Sequence, residues 1–327
     1  TAHNPPSAAL LDACDRLGML VMHEFTDVWT QTKASFDYGE YMPQTWEEDV
    51  ESVVRRDYNH PSIILWSIGN EIPEVGHPVS AQWGRKLVEK FRSLDRTRFI
   101  TNGINVLLAC MPQMMKKNRD GALSGGINDI MGNISAGGNP MANIGANPAT
   151  DPYIEESCDM LDLIGYNYTE DRYEREHELH PNWIFFGSET FSANLDKNWA
   201  LVSRHPYVIG DFSWTAWDYL GEVGCGRIEP KNGTPAAFMG SYPWIAASDG
   251  DFDLTGYRRP MSYWREIVWG GGGHKPYIAV HRMQNYGKDM YVSKWNLTDA
   301  VRCWSWPGWE GKPTAIEVYS DAEEAEL

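Results

Sequence analysis

The sequence predicts an α/β protein: a (β/α)8 TIM barrel that lacks its first strand, followed by an incomplete all-β domain. Two observations carry this prediction. Apolar segments alternate with segments of helical period along most of the 327 residues, as in repeated strand–helix units. Several apolar segments also show no polar alternation, which is typical of parallel strands covered on both faces.

The first units can be followed residue by residue. Ser7 is predicted to cap a helix that Gly18 ends, because serine is a common N-cap and glycine a common C-terminal stop. A strand that ends near Met22 follows. Thr45 and Glu48 form a capping-box pattern, which predicts that the next helix begins there.

Six strands are predicted in all, each identified by the residue near which it ends. They end near Met22, Ile68, Thr101, Tyr168, Ser188 and Phe212. Residues 1–3 are interpreted as the tail of a seventh strand. We therefore expect one barrel strand and its helix upstream of this chain.

Two segments depart from this alternation. Residues 104–150 are longer than an ordinary connection, and both a functional loop or lid and a merely mobile excursion are left open. Beyond residue 273, strand-like segments at 291–295, 300–304 and 314–319 follow one another without helices. We predict a barrel domain over residues 1–273 and the start of a β-sandwich domain over residues 274–327.

Composition narrows the class of protein. A net charge of −17 argues against a broad polyanion-binding surface, so no nucleic-acid partner is expected. No apolar run approaches the ~20 residues that span a bilayer, so no membrane partner is expected. The five cysteines contain no Cys-x-x-Cys pair, which favours a reducing, cytoplasmic location. The start at Thr1 indicates that the native N-terminus is absent, so the sequence itself does not define localisation.

Two carboxylates stand where a barrel does its chemistry. The apolar run that begins at Ile63 ends in Asn70 and Glu71, and a second apolar run ends in Glu189. The carboxyl ends of barrel strands line the active site, and strands about three units apart face each other across it. Glycoside hydrolysis needs such a pair, one carboxyl as acid and one as nucleophile or base. Either glutamate alone could be an ordinary loop carboxylate.

Several motifs resemble glycoside hydrolase family 2, which includes β-galactosidases, β-glucuronidases and β-mannosidases. They are Thr-Ala-His-Asn-Pro-Pro at 1–6, Asn-His-Pro-Ser at 59–62, Trp-Ser-Ile-Gly-Asn-Glu at 66–71, Gly-Ser-Glu at 187–189, and Gly-Asp-Phe-Ser-Trp-Thr-Ala-Trp-Asp-Tyr-Leu-Gly-Glu at 210–222. The resemblance covers about residues 1–327. Family members place a jelly-roll and an immunoglobulin-like domain before the barrel, so we expect this chain to be a portion of a larger enzyme.

The resemblance implies a retaining exo-glycosidase and assigns roles to individual residues. Glu71 resembles the acid/base and Glu189 the nucleophile. Four further residues are implied to bind substrate: His3, Asn70, Tyr168 and Trp214.

Some of these assignments have alternatives. Tyr166 is the rival of Tyr168 as the tyrosine that contacts the nucleophile. Trp214 and Trp217 are interpreted equally well as barrel packing, and His3 as a structural histidine. The 15 Trp, 16 Tyr and 10 Phe suit sugar binding, although core packing explains most of them.

The expected substrate is a carbohydrate with a terminal β-D-galactosyl residue. Family β-glucuronidases carry an Asn-x-Lys element for the uronate, and residues 251–260 of this chain lack it. A β-glucuronidase or another family β-glycosidase, an inactive sugar-binding barrel, and a hydrolase that cleaves inside polysaccharides are the alternatives. The mechanism requires no cofactor. Some members use magnesium, but the sequence identifies no ligands for it, and it leaves open whether the full-length protein forms a homo-oligomer.

Overall fold

The computed structural model describes residues 1–77, 81–117, 145–232, 238–270, 275–324 and 326, with the side chains of 112–117 excepted. The chain divides into two compact units. The first holds the described residues up to Glu189 together with Pro206–Gly210. The second holds Thr190–His205 and the described residues from Asp211 onward.

The first unit alternates strands with helices. In chain order its elements are α1 (Ala8–Leu17), β1 (Val21–Glu24), α2 (Met42–Asp57), β2 (Ile63–Asn70), α3 (Ala81–Leu94), β3 (Phe99–Ile104), α4 (Val106–Lys117), α5 (Asp151–Asp159), β4 (Ile164–Asn167), α6 (Tyr173–Leu179) and the greater part of β5 (Phe185–Phe191).

The second unit begins with the end of β5 and takes in the end of a sixth strand. Its elements are α7 (Leu195–Arg204), β6 (Val208–Trp214), which starts in the first unit, β7 (Ile228–Pro230), α8 (Pro260–Val268), β8 (Tyr277–His281), β9 (Met290–Val292), β10 (Ala300–Val301) and β11 (Ile316–Tyr319).

Strands β1 to β6 form one sheet whose spatial order is the order of the chain. Each pairing from β1 to β5 is parallel. A parallel sheet in chain order with helices between its strands is the arrangement of a (β/α) barrel. The six predicted strands are therefore confirmed, and each ends within three residues of its predicted position. Closure into eight strands and the missing first strand stay predictions.

The predicted bounds of α1 are confirmed, and the predicted start of α2 is wrong. The Ser7 hydroxyl accepts a hydrogen bond of 3.3 Å from the backbone N–H of Leu10, and Gly18 ends α1 with φ of 72°, as predicted. The predicted start of α2 at Thr45 is wrong, because the helix already begins at Met42, with Pro43 in its first turn. Proline suits the first turn because its missing N–H has no helical partner there.

Aromatic packing covers the strands of the first unit. The Trp66 side chain of β2 is fully buried, and its ring centroid lies 5.7 Å from that of Phe91 on α3. Phe25 lies edge-on to the same Phe91 ring at 5.9 Å. This packing holds the carboxyl end of β2 in a fixed place, which matters for the residues that follow it.

The second unit contains two small antiparallel sheets, one of β10, β8 and β11 and one of β7 and β9. The strands expected at 291–295, 300–304 and 314–319 appear in shorter form as β9, β10 and β11. The boundary predicted between residues 273 and 274 lies in a segment outside the described residues, and the domain division stays a prediction.

The long insertion is described only at its ends. Residues 106–117 form α4, Pro148–Thr150 form a short 3-10 helix, and residues 118–144 lie outside the described residues. The proposed lid or mobile excursion therefore stays a prediction. Across the part of the chain that the structure describes, no helix combines the length and apolar character needed to span a membrane.

Candidate active site

Glu71 follows the last residue of β2 in a strained backbone conformation. Its φ is 49°, in the left-handed region that side chains with a Cβ seldom adopt. The backbone N–H of Glu71 donates to the carbonyl of Gly103 at 2.8 Å, which ties the turn to β3. A Cβ on Gly103 would lie 2.7 Å from Oδ1 of Asn70, so glycine leaves the space that the Asn70 amide fills.

Two amides hold the Glu71 carboxyl. Asn105 donates from Nδ2 to Oε1 of Glu71 at 2.7 Å. Asn167, the last residue of β4, donates from Nδ2 to the same oxygen at 3.3 Å and to Oδ1 of Asn70 at 2.9 Å. Ser188 donates to Oδ1 of Asn167 at 2.6 Å and so fixes which way that amide points. Both amides therefore contact the same oxygen of Glu71.

Glu189 lies buried in β5 with its two carboxylate oxygens in different surroundings. Tyr168 donates from its hydroxyl to Oε2 at 2.9 Å, and the backbone N–H of Tyr168 donates to the Glu189 carbonyl at 2.9 Å. Tyr168 also has a positive φ, of 60°. The other oxygen, Oε1, accepts no hydrogen bond from the described residues. The rival Tyr166 donates to Glu176 at 2.6 Å instead.

His3 lies between two carboxylates. Its Nδ1 lies 2.8 Å from Oε2 of Glu24, the last residue of β1, and its Nε2 lies 3.8 Å from Oε1 of Glu189. Burial lowers the pKa of His3, but the hydrogen bond with Glu24 and the charges of Glu189, Glu24 and Glu71 outweigh it and raise the pKa to about 9. His3 is therefore a cation at neutral pH.

Burial is the main cause that raises the pKa of Glu189 to about 8, and the charge of Glu71 adds to it. The His3 charge and the Tyr168 hydrogen bond act in the opposite direction. Because like charges repel, the negative charge of Glu71 disfavours ionisation of Glu189. Such a pair can supply one acid and one carboxylate to the same reaction.

Comparison of this chain with known proteins shows which protein family it is similar to. The model "Glycosyl hydrolases family 2, TIM barrel domain" matches residues 1–119. A solved family 2 member from Bacteroides cellulosilyticus is similar to 98% of the chain at 36% identity and a TM-score of 0.75. Residues 1–119 are therefore similar to the barrel domain of glycoside hydrolase family 2. The family fold is a TIM barrel, and the six-stranded sheet forms part of it.

Two curated relatives show how the chain relates to whole family 2 proteins. Beta-galactosidase BoGH2A from Bacteroides ovatus is 28% identical over 82% of the chain and 34% of its own length. A putative beta-glucuronidase from Formosa agariphila is 27% identical over 100% of the chain and 28% of its own length. The chain therefore spans about a third of the length of the curated relatives that it matches.

Five of the six expected family 2 site residues come together in the first unit: His3, Asn70, Glu71, Tyr168 and Glu189. Trp214 closes β6 in the second unit, where its indole N–H donates to the Tyr219 hydroxyl at 3.1 Å. Its role as the floor of the sugar site stays a prediction.

Three residues that contact the predicted site residues were not predicted from the sequence: Asn105, Asn167 and Glu24. Asn105 follows the last residue of β3 and Asn167 ends β4, so position at a strand end was a usable signal for both. Glu24 is the last residue of β1 and carries the same signal. What the sequence could not supply is the direction in which each side chain points.

The described residues do not offer a magnesium site beside Glu71. The one group of metal-ligating side chains that they bring together is Asp12, Asp15 and His60. In that group His60 bonds to Asp15 at 2.7 Å, and Asp15 also accepts from the backbone N–H of Ser62 at 3.0 Å. These contacts tie α1 to the start of β2 and explain the cluster without an ion.

Proposed function

We propose that this site hydrolyses terminal β-glycosidic bonds with retention of configuration, with Glu189 as the nucleophile and Glu71 as the acid/base. The observation that carries the proposal is the difference between the two oxygens of Glu189. Tyr168 holds Oε2, while Oε1 accepts no hydrogen bond from the described residues. That oxygen keeps a lone pair for attack on an anomeric carbon.

In the first step the protonated Glu71 gives its proton to the glycosidic oxygen as the C–O bond breaks. Oε1 of Glu189 forms a bond to the anomeric carbon, and the aglycone leaves as an alcohol. A proton on Glu71 removes the repulsion that opposes ionisation of Glu189. The Tyr168 hydroxyl and the His3 charge then favour the carboxylate form that the attack requires.

In the second step Glu71, now ionised, takes a proton from a water molecule. The water oxygen attacks the anomeric carbon, the ester bond to Glu189 breaks, and both carboxyls return to their starting states. The amides of Asn105 and Asn167 serve both steps, because each donates a hydrogen bond to Oε1 of Glu71. These hydrogen bonds strengthen when Glu71 is ionised.

The proposed sugar is a β-galactoside. The absence of Asn-x-Lys from residues 251–260 supports it, and so does the relative named a beta-galactosidase. A β-glucuronide is the second candidate, because another relative is named a putative beta-glucuronidase and because the cationic His3 would attract a carboxylate. We propose that Asn70 contacts the sugar 2-hydroxyl, His3 lines the pocket, and Trp214 forms its floor.

A panel of aryl β-galactoside, β-glucuronide, β-mannoside and β-glucosaminide substrates tests this proposal. We expect turnover of the galactoside, and expect Glu189→Gln to abolish it because an amide cannot attack the anomeric carbon. Turnover of the glucuronide alone would replace the sugar and keep the mechanism. Galactose binding without turnover of any panel member would support a sugar-binding barrel, and cleavage of long β-glucans alone would indicate a hydrolase that acts inside polysaccharides.

A further inference from the structure

We propose that Glu24 is a positioning residue that holds His3 as a cation facing the nucleophilic oxygen of Glu189. The inference rests on the proposed function, since it treats Glu189 as the nucleophile. It goes further because it makes Glu24, which does not touch Glu189, partly responsible for the ionisation of Glu189. Glu24 and His3 thus act together as a counter-ion that favours ionisation of the buried Glu189 carboxyl.

The geometry fixes both the orientation and the charge of the imidazole. Glu24 is 4% exposed, and its Oε2 lies 2.8 Å from Nδ1 of His3, which places a proton on that nitrogen. The opposite nitrogen, Nε2, then lies 3.8 Å from Oε1 of Glu189. That oxygen has no hydrogen bond from the described residues, so the nearby imidazolium is its compensating charge.

The groups around His3 are mostly anionic. Glu24 faces it from β1, Glu189 from β5, and Glu71 acts from the end of β2. Burial opposes protonation of His3, and the three carboxylates overcome it to raise the pKa to about 9. Glu24 is the largest of these contributors, through its hydrogen bond.

Glu24 acts on Glu189 by two routes of opposite sign. Directly, its negative charge raises the pKa of Glu189, and indirectly, by keeping His3 charged, it lowers that pKa. The effect of His3 on Glu189 is larger than the direct effect of Glu24. Removing the Glu24 charge while keeping its shape should therefore raise the pKa of Glu189, the reverse of what simple loss of a neighbouring negative charge would do.

Glu24→Gln tests this inference because glutamine keeps the size and an oxygen acceptor for Nδ1 but loses the charge. We expect NMR titration of histidine-labelled protein to show the His3 pKa falling by roughly 1 to 3 units, the range for loss of an adjacent opposite charge. The signal is assigned by its absence from His3→Asn. Glu47→Gln, at a side chain that is 63% exposed on α2, should leave His3 unchanged.

A His3 that titrates identically in Glu24→Gln and in the wild type, or that is neutral at pH 7 in the wild type, would overturn the inference. If Glu24→Gln folds poorly, Glu24→Asp keeps the charge and should keep His3 cationic at pH 7. Because this measurement needs no turnover, it stays decisive even if every glycoside in the panel is left uncleaved, an outcome that would reject the proposed function alone.

The kinetic readout is the acid limb of kcat/KM against pH, which reports ionisation of the nucleophile in the free enzyme. We expect this limb to move to higher pH in Glu24→Gln, whereas a purely structural defect would lower the rate at all pH values alike. In the His3→Asn background Glu24→Gln should no longer move the limb upward. An upward shift that persists without His3, or a downward shift in the single variant, would contradict the proposed route.

Discussion

Asn105 donates a hydrogen bond of 2.7 Å from its Nδ2 to Oε1 of Glu71, across the carboxyl ends of β3 and β2. The strained backbone of Glu71 aims its carboxyl at this amide, and the backbone bond from Glu71 to Gly103 maintains that backbone. The proposed acid/base is therefore oriented by a neighbouring strand as well as by its own. Orientation of this kind is what a proton transfer to a bound glycoside requires.

The first prediction concerns this contact. Asn105→Ala should lower kcat/KM by roughly 10- to 100-fold, the loss expected for a hydrogen bond to a charged group. The loss should be largest for glycosides with poor leaving groups, which depend most on protonation. Asn105 also accepts from the backbone N–H of Leu108 at 3.3 Å, and Asn105→Ser keeps that capping contact. A serine variant with wild-type rates would show that capping alone accounts for the effect.

The second prediction concerns the two halves of the reaction. Glu71→Gln should slow breakdown of the glycosyl ester, because no base activates water, and azide should restore turnover of an aryl glycoside that has a good leaving group. The product is then the glycosyl azide of unchanged anomeric configuration, which NMR identifies. Glu189→Gln provides the contrast, since azide should not restore double displacement without a nucleophile. An azide of inverted configuration from Glu71→Gln would contradict the retaining mechanism.

The third prediction compares two neighbouring tyrosines: Tyr166, which lies in β4, and Tyr168, which follows that strand. Tyr168→Phe removes the hydrogen bond that lowers the pKa of Glu189, so the acid limb of kcat/KM should move to higher pH and kcat should fall. Tyr166→Phe removes a hydrogen bond to Glu176 instead and should change stability without moving that limb. Identical pH profiles for Tyr168→Phe and the wild type would argue against a role of this hydroxyl in ionising Glu189.

The sequence predicted the positions at strand ends better than the contacts made there. The apolar runs that end in Glu71 and Glu189 are long and uninterrupted, so period and length were enough to place both carboxylates after parallel strands. Asn105 and Asn167 lie at equivalent positions, but an amide at a strand end is common and its direction depends on packing. The start of α2 was misplaced because Thr45 and Glu48 fit a local pattern that Pro43 overrides.

The fourth prediction concerns a buried ion cluster of the first unit. Arg172 is fully buried and donates to Glu176 at 2.7 Å and to Thr150 at 2.8 Å, and it also pairs with Asp151 at 2.5 Å. Arg172→Met removes this cation from the buried Glu176 carboxylate and should cost about 3 to 5 kcal/mol in unfolding free energy. Arg175→Met is the matched control, because Arg175 also pairs with Asp151 but is partly exposed. Equal losses in urea unfolding would show that burial is not decisive.

The fifth prediction links the proposed catalytic charge to stability. The pKa of Glu189 is raised from an ordinary value of 4.5 to about 8, mainly by burial, so the folded state holds this proton more tightly than the unfolded state does. Stability from this group is full below pH 4.5 and is lost as the pH rises from 4.5 to 8. Glu189→Gln removes that loss, so its melting temperature should exceed the wild-type value by a margin that grows from pH 5 to pH 8.

The size of the margin follows from the same shift. Each unit of pKa corresponds to about 1.4 kcal/mol, so the gain at pH 8 has an upper limit of roughly 5 kcal/mol, reduced by the contact that His3 loses. Differential scanning fluorimetry across this pH range measures it, with Glu47→Gln as the control that should follow the wild type throughout. A margin that is constant with pH would mean that ionisation of Glu189 is not the origin of the difference. If the difference in melting temperature shrinks toward pH 8, the folded state favours the ionised form of Glu189 even without substrate. Ionisation of the proposed nucleophile would then not destabilise the fold.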